Sequence, residues 1–147
     1  MIQTRNEIQI GAPAQRIFGL ASATLRWPQI LPHYRSVRLV ADEGDSQILQ
    51  MAAVRGFIPV RWTAQQWNDA VTPSIRFLHI AGWTRGMHVA WHFEELAGVT
   101  LVSIVHDLDF QFPVASAFLG KYLVSGFFVH DIANKTLRRI KELAEGA

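Results

Sequence analysis

At 147 residues, half of them hydrophobic and only 18% charged, the chain has a globular composition and the length to bury a real core, which excludes a disordered segment. The absence of cysteine excludes disulfides, thiolate nucleophiles and cysteine-based metal sites. The 14 basic residues nearly balance 12 acidic ones and are scattered, so no nucleic-acid footprint is expected. No apolar leader precedes Ile10, and a cytoplasmic location is the expectation.

Thr4 to Ile10 reads as a short strand ending at Gly11. Pro13 then opens a helix over Ala14–Leu20, and a second helical piece, Ser22 to Leu31, is interrupted before Pro28. From His33 the pattern changes to strands: His33–Val40, Gln47–Arg55, Val60–Asn68, Ser74–Ala81, Gly86–Glu95 and Val99–Gln111. Their separators carry turn residues, among them Gly44, Gly56 with Pro59, Pro73, Gly82 and Gly98. Connections this short make the strands antiparallel neighbours.

The last stretch, Pro113 to Ala147, reads as one long helix. Leu119, Tyr122, Val129, Ala133, Leu137, Ile140 and Ala144 recur at three-and-four spacing. Its first half, Val114 to Val129, is apolar nearly all round and must be buried on every side, yet it contains Lys121 and falls short of the ~20 residues of a membrane span. Gly120 and Gly126 each cost about 1 kcal/mol in a helix interior, so something should approach closely there. The order of elements gives one α+β domain, residues 1–147, in which a long antiparallel sheet folds around a long C-terminal helix.

Alternation assigns the sheet faces. Met87, Val89, Trp91 and Phe93 point inward, with His88, His92 and Glu94 outward. Thr100, Val102, Ile104, His106, Leu108 and Phe110 form the inner face of the last strand, and Val60, Trp62, Ala64 and Gln66 that of an earlier one. Ser103, Asp107, Asp109 and Gln111 fall on the outer side.

With this order in view, the opening run IQIGAPAQRIFGLASATLRWPQILPHYRSVRLV resembles the signature of the START-like polyketide cyclase/dehydrase superfamily. MHVAWHFEEL followed by GVTLVSIVHDLDF is similar to its last two strands, and TLRRIKELAE to the end of its helix. FQFPVASAFLGK leans toward the branch of coenzyme Q-binding lipid carriers. The resemblance implies a helix-grip fold of about seven strands around the helix, with a deep apolar cavity between them. It implies two kinds of function: carriage of isoprenoid quinones, lipids or sterols, or cofactor-independent aromatase/cyclase chemistry on a poly-β-ketone. Tyr34 and Trp62 match cavity residues of the cyclases, and His130 falls on a cavity-facing helix asparagine. The cyclase arginine is replaced by Gln66 and its serine neighbour by Ala64. A guanidinium can polarise a ketone and hold an enolate; an amide does so far more weakly.

His88 and His92, four apart on a strand, lie ~13 Å from one another and cannot share a metal ion, so no metal site is expected. His106 and His130 are the candidate acid–base groups, with Tyr34 and His130 the catalytic pair of the enzyme reading. The alternative is that each simply satisfies a neighbour in the core. The expected ligand contacts are Tyr34, Trp62, Gln66, Trp91, His106, Phe118, Tyr122, Gly126 and His130. Every second turn of a meander lies at the same end of the sheet, which gathers Phe57, Ile58, Trp83 and Phe112 at one end as a cavity mouth. That end is also the expected place of a transient membrane or protein contact. The leading expectation is a binding protein for one hydrophobic small molecule.

Overall fold

The computed structural model describes residues 3–82, 84–107 and 129–146, together with the backbone but not the side chains of Arg55 and Ile58. Trp83, Phe112, Phe118, Tyr122 and Gly126, the first half of the expected long helix, and residues 108–111 of the expected last strand lie outside the described residues.

The strands are β1 (Gln3–Ile10), β2 (Tyr34–Asp42), β3 (Gln47–Arg55), β4 (Ile58–Asp69), β5 (Ser74–Gly82), β6 (His88–Leu96) and β7 (Val99–Asp107). They form one antiparallel sheet of seven strands in the order β1-β7-β6-β5-β4-β3-β2. Six strands follow one another as a meander, while the first joins the far edge against the last. Register shifts in β2 at Tyr34/Ser36 and Leu39/Ala41, and in β4–β5 at Thr63/Ala64, add local bending and twist. The Ala97-Gly98 connection between β6 and β7 has both residues at positive φ, the geometry that matches the strand twist in a two-residue hairpin. At Gly82 a side chain is impossible without movement: its Cβ would lie 2.8 Å from the Arg61 carbonyl oxygen, at a φ of +101°.

The inner face of the sheet follows the alternation. Met87, Val89, Trp91 and Phe93 are buried, as are Thr100, Val102, Ile104 and His106, while His88, His92 and Glu94 are exposed. Ser103 lies on the outer side, as the alternation assigns it, and is buried there because Arg5 and Glu7 of the neighbouring β1 cover it, at 3.1 and 3.2 Å from its hydroxyl.

Two elements close the concave side. Helix α1 (Ala14–Ser22) buries Ile17, Phe18 and Ala21, and passes through a single turn of 3-10 helix into the short α2 (Trp27–Ile30), which Pro28 initiates. The C-terminal helix α3 (Val129–Glu145) buries Val129, Ile132, Ala133, Thr136, Leu137, Ile140 and Ala144, one continuous stripe at helical spacing. Its far end is tied to the first strand: Lys141 Nζ donates to the Gln9 carbonyl at 2.8 Å, and Glu145 accepts from the Gly11 amide at 2.7 Å.

Leu137 is 1% exposed in this interface and Phe57, at the β3–β4 turn, is 94% exposed. Leu137→Ala should therefore cost about 2–5 kcal/mol in urea unfolding, and Phe57→Ser less than about 0.5 kcal/mol. A large loss in the Phe57 variant would make that turn part of the core.

Candidate functional site

Between the inner face of the sheet, α2 and the start of α3 lies a cavity of about 80 Å³, several times the ~10–15 Å³ that one water needs. Five aromatic side chains, Trp27, Tyr34, Trp62, Phe77 and Trp91, stand among its lining residues. Trp27 from α2 lies 4.9 Å from the Tyr34 ring, 6.0 Å from Phe77 and 6.1 Å from Trp91, centroid to centroid. Tyr34 continues to Trp62 at 6.1 Å, and Trp62 stacks flat on His79 at 5.5 Å. Such pairs contribute about 0.5–1.5 kcal/mol each beyond area burial, so the walls hold their shape. Ile132, Ala133 and Thr136 of α3 close the other side.

Polar groups in the cavity are few and neutral. Burial, with His106 and His88 nearby, lowers the His79 imidazole to about 3, and burial alone lowers His106 to about 3. The Tyr34 phenol is raised by burial, and its hydroxyl has no hydrogen bond among the described residues. His79 Nδ1 meets the Thr84 hydroxyl at 2.5 Å. His33 is lowered to about 4 by burial and by Lys135, against the pull of Asp131. The Thr136 hydroxyl donates to the Ile132 carbonyl, so it accepts from His33 Nε2, 2.8 Å away, and the neutral ring carries its proton there.

The sequence candidates separate clearly. Tyr34, Trp62, Trp91 and His106 line the cavity; Gln66 and His130 do not. Gln66 is 2% exposed and fully occupied: its oxygen accepts from Thr24 at 2.7 Å, and its nitrogen donates to the Ser22 carbonyl and to Asn68 at 3.2 and 2.9 Å. It bolts the α1–α2 connection to β4. His130 follows the buried Val129 by one residue, about 100° around the helix, and is exposed. Its ring sits between the amides of Asn6 and Asn134, each at 3.1 Å, so the expected Tyr34–His130 pair does not form across the cavity. Of the expected mouth, only the exposed Phe57 side chain is described. His79 was not singled out in the sequence, although the spacing Ile75, Phe77, His79 assigns it to the inner face.

A curved antiparallel sheet gripping a C-terminal helix, with an aromatic-walled cavity between them, defines a helix-grip protein. The model of the polyketide cyclase/dehydrase and lipid transport family matches residues 10–140, and the chain belongs to that family. The structure resembles the protein TTHA0849 from Thermus thermophilus (TM-score 0.80, 23% identity, covering 96% of this chain and 95% of that one). It also resembles the Zhui aromatase/cyclase from a Streptomyces species (TM-score 0.87, 14% identity, 98% and 93%). A START superfamily protein from Mycobacterium smegmatis matches as well (TM-score 0.70, 18% identity, 98% and 94%). At these identities the likeness shows the fold alone.

The buried imidazoles make folding stability fall in acid. Their folded values lie below the ordinary 6.5, so the stability they contribute is fully present above about pH 6.5 and is lost as pH falls toward 3–4. Below pH 6.5, His79 and His106 should each steepen the loss by up to about 1.4 kcal/mol per pH unit. His106→Phe should flatten the dependence of Tm on pH between 6 and 4; an unchanged slope would show that the ring is hydrated.

Proposed function

We propose that the protein binds one hydrophobic small molecule in this cavity: an isoprenoid quinone, a lipid or a polycyclic compound of the polyketide kind. The observation that supports it is the wall itself. Trp27, Tyr34, Trp62, Phe77 and Trp91 surround a space with no charged side chain among its described lining residues. Apolar contact provides affinity in such a pocket, and a few polar groups orient the ligand. The family to which the chain belongs includes lipid transport.

A second reading, aromatase/cyclase activity, draws on two of the polar groups that line the cavity, the Tyr34 hydroxyl and the His106 ring. Against it stand the sealed hydrogen bonds of Gln66, where the cyclases carry arginine, and the position of His130 outside the cavity. Binding is therefore the reading favoured.

Native and denaturing mass spectrometry, with organic extraction of the purified protein, tests it. The expected result is a co-purifying apolar compound. Trp62→Ala, checked by its melting transition, should lower its occupancy at least about tenfold, since burial of a large aromatic contributes more than the 1.4 kcal/mol that a factor of ten requires. An empty protein that turns over aromatic polyketide precursors, and loses turnover in Tyr34→Phe, would overturn the carrier reading in favour of the enzyme.

A further inference from the structure

The turn between β5 and β6 is built around one side chain of the cavity wall, His79. The His79 amide donates to the Met87 carbonyl at 2.9 Å, and its carbonyl accepts from the Gly86 amide at 2.8 Å. The Met87 amide in turn donates to the Thr84 carbonyl at 2.9 Å. The ring is held as firmly as its backbone. Trp62 stacks on it, 4° from parallel and 5.5 Å between centroids, and the Thr84 hydroxyl lies 2.5 Å from Nδ1. Trp62, His79 and Thr84 all line the cavity. With one face against an indole and Nδ1 engaged, the ring has one polar atom left to offer, Nε2.

The direction of the Nδ1 bond decides what Nε2 does. Burial keeps the imidazole neutral, so one of its two nitrogens carries the proton. If the Thr84 hydroxyl donates, one contact satisfies both the hydroxyl proton and the Nδ1 lone pair, and the ring proton sits on Nε2. If Nδ1–H donates instead, the hydroxyl proton is left over, because Thr84 Oγ1 makes no second hydrogen bond among the described residues. A buried donor left unmade costs about 1–3 kcal/mol, so the first arrangement prevails. His33 shows the opposite case, since Thr136 has already given its proton to the Ile132 carbonyl. We infer that His79, oriented by Thr84 and Trp62, determines the specificity of the cavity by donating its Nε2 proton to a carbonyl oxygen of the bound molecule. A carbonyl accepts without bringing a proton of its own into a wall that continues as Met87, Val89 and Trp91. The site therefore selects ketones and quinones over the corresponding hydrocarbons. This rests on the cavity-binding reading above and narrows it.

The test uses 1-tetralone and tetralin, which share a ring skeleton and differ in the carbonyl. Calorimetry measures the affinity of each, and infrared difference spectroscopy the carbonyl stretch of bound tetralone. In the unaltered protein that stretch should lie below its position in hexane, the mark of an accepted hydrogen bond. His79→Phe keeps a flat ring against Trp62 but has no donor. It should weaken tetralone about tenfold relative to tetralin, the cost of one buried acceptor left unpaired, and return the stretch to its hexane position. His79→Gln, whose amide reaches the place of Nε2, should restore the lowered stretch. Tyr34→Phe should leave it lowered, and decides the matter if the His79 variants do not fold: a hexane-like stretch there assigns the bond to Tyr34 and overturns the inference. A hexane-like stretch in the unaltered protein, or a lowered one that survives His79→Phe, overturns the role of His79 and leaves the cavity reading standing. Binding of neither probe overturns both.

Discussion

The interior depends on one side chain, the Trp27 indole. It enters the concave side of the sheet from a helix of only four residues and touches aromatic rings of β2, β5 and β6. Its own polar atom is accounted for, because Nε1–H donates to the Ala21 carbonyl at 3.2 Å, so the ring can be buried without an unpaired donor. The segment that carries it is held from below by Gln66. The two short helices are therefore a plug in the sheet's concavity, and the cavity is what the plug and α3 together leave unfilled. Pro28 and Gln66 hold the plug in place without lining the cavity.

The site is poor in charge. No cation balances a developing enolate among the described lining residues, and the imidazoles there are held neutral by burial. Proton transfer by His106 at neutral pH would run from the neutral ring alone, which can accept a proton only by becoming an uncompensated buried charge. The same neutrality suits a ligand that carries no charge. An interior of this kind discriminates by shape and by the direction of single hydrogen bonds.

Much of this was legible in the sequence, and the failures have a common cause. Period-two alternation identified the buried faces of β6 and β7 because each strand has one apolar neighbour layer and one solvent layer. The same rule contained His79. Inner-face geometry cannot, however, tell what a polar side chain bonds to: Gln66 points inward, but its partners come from the connection after α1, whose path depends on the whole fold. His130 required the phase of a helix, where one residue is a rotation of about 100°. Ser103 keeps its outer side but is buried there, because side chains of β1 cover it through a pairing between distant parts of the chain.

That pairing governs assembly. The strands from β2 to β7 can join hairpin by hairpin, each contact local in sequence, whereas β1 bonds only to β7 within the sheet, from Gln3 opposite Asp107 to Ile10 opposite Thr100. The loop that this closure spans is most of the chain, and its entropy must be spent before the contacts return anything. During synthesis the first strand made waits for the last one to emerge. Until then β1 has no partner strand, and the stripe of α3 that packs on β1 comes later still. Within the sheet the β1–β7 pairing has the longest separation in sequence, and so carries the largest loop-closure entropy.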